Sequence, residues 1–138
     1  MSERVNKFCA SLQSKLNNLE DRMTSLKTSL QSAPKQAEDA LHKQLDHAQH
    51  KVESQKQAVA KARTSVQNWA DKKKAEAKAT IDSWKVRHEA RKLEKRADQA
   101  EEYAAAAILV AVSSIDEAEQ AVLEAIAARL DADAVPVG

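Results

Sequence analysis

The chain has very few of the residues that turn a backbone. Of its 138 residues, one is glycine (Gly138) and two are proline (Pro34 and Pro136). Hairpins and sandwiches depend on glycine and turn dipeptides, so an all-β architecture is excluded. A glycine-rich phosphate loop is excluded with it. Aromatic residues make up 3% of the chain, which leaves strands without their favoured side chains and rules out a thick interior. A single cysteine, Cys9, excludes an internal disulfide and suits a reducing compartment. Long apolar runs are also missing. The longest, Tyr103 to Val112, has ten residues, whereas a membrane-spanning helix needs about 20. The opening "MSERVNKFCASLQSK" is charged and amphipathic and lacks the apolar core of a secretory signal. A cytoplasmic location is therefore expected.

Ala, Glu, Lys, Arg, Gln and Leu dominate, the usage of long helices and coiled coils. Charge is unevenly placed. Residues 61–96 hold twelve basic and five acidic residues, a net of +7, and residues 98–138 hold one basic and nine acidic, a net of −8. Two such segments attract when laid side by side.

Hydrophobic spacing sets the expected organisation. In residues 1–31, Val5, Cys9, Leu12, Leu16, Leu19, Met23, Leu26 and Leu30 recur at alternating intervals of four and three. Cys9, Leu16, Met23 and Leu30 then share position a, and Val5, Leu12, Leu19 and Leu26 share position d. Such a narrow stripe suits knobs-into-holes pairing. Residues 33–97 read as a second helix with a basic second half. Ser32 is expected as its N-cap and Pro34 in its first turn. Its seam holds Leu41, Leu45, Val52, Val59, Val66 and Trp69, with Ala48, Gln55 and Ala62 between them. Spacings of four after Trp69 form a stutter that unwinds a left-handed supercoil. Residues 98–131 read as an acidic, Ala-rich helix with seam residues Ile108, Ile115, Val122 and Ile126, and residues 132–138 as a tail. Capping boxes at Asp98–Glu101 and Ser114–Glu117 mark possible starts for this helix. A reversal near Asp98 would lay the acidic arm along the basic one. The fold class expected is all-α: a long antiparallel helical hairpin or coiled coil completed by oligomerisation.

Residues able to carry chemistry are few. His42, Asp46, His47 and His50 fall at helical spacings that could chelate a metal, but a bundle site needs a second set on a facing helix and none is evident. No metal and no cofactor is expected. Cys9 sits on the seam, where a cysteine acts as a small hydrophobe, and thin helices offer no dry cleft, so no enzymatic activity is expected. Lys72, Lys73, Lys74, Lys78, Lys85, Arg87, Arg91, Lys92, Lys95 and Arg96 form a basic docking face. Asp82, Glu89 and Glu94 interrupt it and the net charge of the whole chain is only +1, which disfavours nucleic acid as its partner. The expected function is a non-enzymatic, self-associating coiled-coil scaffold or adaptor. Its partners would be a second copy of itself and an acidic protein or anionic lipid surface.

The low glycine content, the Ala-rich long amphipathic segments and the tail "RADQAEEYAAAAILVAVSSIDEAEQAVLEAIAARLDADA" resemble two groups. One is the small coiled-coil proteins of proteobacteria, which carry no implied activity. The other is the phasins and exchangeable lipid-binding helices, whose likeness implies association with a membrane or granule surface.

Overall fold

The computed structural model describes residues 3–75 and 77–135; of residues 73–75 it describes the backbone alone. Among the described residues, four α-helices follow one another: α1 (Glu3–Ser32), α2 (Glu38–Ala75), α3 (Lys78–Val86) and α4 (Ala90–Ala134), with a 3-10 turn (Ala33–Lys35) after α1. No strand occurs among the described residues. The protein is all-α, as the composition requires.

The first reversal is a tight hairpin. Proline has no N–H to donate and its ring clashes with the preceding turn, so α1 ends at Ser32 and the 3-10 turn leads to the extended Gln36 (φ −94°, ψ 150°). Ser32 is not the N-cap of α2. Its backbone is helical (φ −88°, ψ −20°) and its side chain makes no cap hydrogen bond. Its hydroxyl instead donates to the Ser29 carbonyl at 3.3 Å and accepts from Gln36 Nε2 at 3.2 Å. Gln44 Nε2 donates to Gln36 Oε1 at 2.6 Å, tying the turn to α2.

The break expected at Asp98 is not there. Asp98 lies inside α4, as do both candidate capping boxes. α2 instead ends at Ala75, Ala77 is extended (φ −85°, ψ 146°), and the chain reverses at residues 87–89. That reversal has a clear physical cause. The Glu89 N–H donates to the Trp84 carbonyl at 2.9 Å and the His88 N–H to the Lys85 carbonyl at 3.2 Å. These are the paired bonds of a Schellman motif, whose C′ residue adopts the left-handed conformation. Here His88 occupies that place, with φ 54°.

Packing centres on α4, which contacts all three other helices. It runs antiparallel to α2: Lys72 meets Gln99, Trp69 stacks on Tyr103 at 5.5 Å, and Lys51 meets Glu119. It runs parallel to α1, since Arg4 pairs with Glu94 and Arg22 with Asp116. The result is an up-down-up arrangement about 70 Å long, from 45 residues of α4 at about 1.5 Å each. The interior is thin. Nine hydrophobic residues are buried among those described, and five of them are alanine. Leu41, Ala48, Leu123 and Ala33 form one cluster near the first hairpin, joined by Leu45, Ile126 and Leu130. Alanines at facing positions let α2 and α4 approach closely, which makes the seams narrow.

Two outcomes follow from these turns. Replacing His88 by glycine removes the left-handed backbone penalty and is expected to stabilise the fold by about 0.5–1 kcal/mol, read as a raised denaturant midpoint at unchanged slope. At the open end, the Arg4 guanidinium hydrogen-bonds Glu94 at 2.6 Å and holds its carboxyl below the usual 4.5. A lowered folded value means that this pairing is fully present above pH 4.5 and lost as pH falls through the depressed value. NMR titration of Arg4→Gln should return Glu94 to the ordinary carboxylate range.

Candidate functional site

The structure divides the expected seam residues into three groups. In α2, Leu41 and Val59 are buried, and Leu45, Val52, Val66 and Trp69 are half-buried against α4. In α4, Ile108, Ile115, Val122 and Ile126 are half-buried, while the buried face is turned to one side of them: Ala106, Val112, Ser113, Asp116, Leu123 and Ala127. Apart from Val112, those positions and the half-buried Gln120 also keep intervals of seven or of three and four. The expected seam avoided them because Ser113, Asp116 and Gln120 are polar.

The third group is α1, which has no buried residue at all. Its inner edge, Leu12, Leu19 and Leu26, is half-buried in a helix whose long-range packing is against α4. Its a edge faces outward: Leu16 is 49% exposed, Met23 44% and Leu30 46%, and Cys9 is exposed too. Val5, expected at d, is also exposed. The helix is placed so that Leu12, Leu19 and Leu26 are covered while the a edge, about 50° round the helix, is left in solvent. The heptad of α1 is thus half used within the chain, leaving an apolar stripe about 30 Å long from residue 9 to residue 30, at about 1.5 Å per residue.

A group that the hydrophobic pattern did not single out joins the three long helices. Asp116 on α4 is 1% exposed. Its Oδ2 accepts from the Arg22 guanidinium on α1, and Lys51 Nζ on α2 lies 3.5 Å from its Oδ1. Lys51 also lies 3.7 Å from Glu119, and Arg63 lies 3.9 Å from Glu117. The acidic arm therefore finds its cations on α1 and α2: Arg22, Lys51 and, from the start of the basic stretch, Arg63.

That basic stretch gathers at the opposite end. Lys72, Lys78, Lys85, Arg87, Arg91, Lys92 and Lys95 are exposed, and Arg96 is half-buried. The side chains of Lys73 and Lys74 lie outside the described residues. Lys72, Lys92, Lys95 and Arg96 line one cleft beside Trp84. Lys78, Lys85, Arg87 and Arg91 are not among its lining residues.

The histidines do not converge. Asp46, His47 and His50 are exposed along α2, and His50 Nδ1 lies 2.7 Å from the Asp46 carbonyl oxygen. His42 lies near Glu38 and Asp131 instead, their potential ligand atoms within 4.8 Å of one another and all three residues exposed. Exposed groups of this kind are ordinary on helix surfaces.

Removing the Asp116 charge takes the carboxylate from Arg22 and leaves Lys51 with Glu119. Asp116→Ala is expected to destabilise the protein by about 2 kcal/mol, less than a fully buried pair would lose because Arg22 and Lys51 partly reach solvent. Denaturant unfolding checks this. Comparison with known proteins supplies no relative: no family model, curated protein or solved structure matches the chain.

Proposed function

We propose that the protein is a non-enzymatic, self-associating helical scaffold. The exposed edge of α1 pairs with a second copy, and the basic end of the bundle docks an acidic partner. The observation that carries this reading is the solvent-facing Leu16, Met23 and Leu30 on a helix whose other edge is already packed. Their interval of seven suits another helix better than a flat surface.

Charge favours one direction of pairing. An antiparallel pair centred on Met23 sets Leu16 against Leu30 of the second copy and Met23 against Met23. The flanking positions then bring Glu20 beside Lys27 of the second copy, twice by symmetry. A symmetric interface of this kind closes as a dimer. The exposed Cys9 thiol fits a reducing, cytoplasmic setting. Among the described residues, no helix is long and apolar enough to cross a membrane.

Sedimentation at micromolar concentration is expected to give a dimer, and Met23→Asp to weaken association at least tenfold. Under mild oxidation, Met23→Cys in a Cys9→Ser background should cross-link, whereas native Cys9 should not. A monomeric wild type overturns the reading. Cross-linking through native Cys9 would reverse the strand direction. Co-flotation with anionic vesicles that Met23→Asp abolishes would assign the edge to lipid.

A further inference from the structure

The basic docking face of the proposed function narrows to one place in the fold. The end of α2, the short α3 and the start of α4 enclose a cleft of about 410 Å³. Four of its lining residues are cationic: Lys72 from α2, and Lys92, Lys95 and Arg96 from α4. Trp84 and Thr80 of α3 complete it with Gln99, and no carboxylate lines it among the described residues. Lys92 Nζ lies 5.9 Å from the centre of the Trp84 ring and 3.0 Å from Glu89, so this cation is tethered beside the indole. Among the described residues, the partner of Lys72 is the neutral amide of Gln99.

Two features mark the cleft out from an ordinary solvated helix face. Cations brought together from two helices repel one another, and an anion between them relieves that repulsion. Lysines on an isolated helix would splay into water. The second feature is the local backbone. The nine-residue α3 ends at Val86, two residues before His88, whose φ of 54° is sparsely populated for a residue with a side chain. That turn holds Trp84 against the basic first turns of α4. Strained backbone beside a cluster of functional side chains is a recurring feature of binding sites.

We propose that this cleft binds a small aromatic phosphate, the chemistry of a free nucleotide. Its ring lies against Trp84 and its phosphate oxygens sit between Lys72, Lys95 and Arg96. Indole stacking accepts any flat base. Lysine and arginine supply charge-assisted bonds to phosphate. The volume suits one small ligand and not a folded acidic protein. The inference rests on the reading of the basic stretch as a docking face. It is independent of α1 pairing, which Met23→Asp tests separately.

Calorimetric titration of the full chain with adenosine triphosphate at low salt is the test. Saturable binding in the micromolar range is expected, weakening steeply between 50 and about 200 mM salt. Lys72→Gln with Lys95→Gln should weaken it at least tenfold while circular dichroism stays unchanged, since Lys72 and Lys95 are exposed. Trp84→Leu should weaken adenosine triphosphate more than inorganic triphosphate, separating stacking from charge. Three results overturn the proposal: no heat of binding up to millimolar nucleotide, equal binding by the double lysine variant, or at least tenfold tighter binding of an acidic peptide or a single-stranded oligonucleotide. If binding fails while the wild type still dimerises, the self-association reading stands and the nucleotide assignment falls alone.

Discussion

The Asp116 carboxylate is almost wholly withdrawn from water, and a charge in that position is tolerable only with cations beside it. Arg22 comes from α1 and Lys51 from α2, so one side chain fixes the height of two helices against a third. The bundle needs such a device because its seams are built largely from alanine and valine. Small side chains pack closely but interlock weakly, and a heptad seam moved by one repeat buries nearly the same surface. A buried ion does not allow that freedom. Any sliding of α1 or α2 along α4 would leave Asp116 without its partners, at a cost of several kcal/mol.

Around this pin, α4 acts as the shared wall. Its apolar circumference in the region 103–112 is wide enough to serve α1 and α2 together, which is why the greasiest part of the sequence lies in the helix that touches all the others. Contact on two sides also explains the division of labour on α1. Packed against α4 through Leu12, Leu19 and Leu26, it has no second neighbour within the chain for Leu16, Met23 and Leu30. The apolar surface left uncovered is a by-product of a three-helix arrangement in which the outer helix is covered on one edge only.

The two ends of the bundle differ in charge for a related reason. Acidic residues of α4 are neutralised near the middle by Arg22, Lys51 and Arg63. The cations of residues 72–96 are left with few carboxylates of their own. They collect where α2, α3 and α4 meet, around an indole that a lone amphipathic helix would have kept at its edge.

Composition and spacing alone determined the helical class, the break at Pro34, the apolar edge of α1 and the existence of a basic stretch. Each of these depends on local rules: propensity, the fixed φ of proline and the 3.6-residue period. Three things were decided only by tertiary structure. The second reversal was hidden because a histidine occupies the left-handed position that glycine usually marks, and histidine enters that conformation too seldom to signal a stop. The buried face of α4 was misplaced by a fraction of a turn because its interior positions include Ser113, Asp116 and Gln120. Polar residues read as solvent-facing until their partners on α1 and α2, 94 residues away in the case of Arg22, are brought beside them. The gathering of Lys72, Lys92, Lys95 and Arg96 about Trp84 likewise depended on that reversal, because charges remote along one helix meet only when the chain turns back on itself.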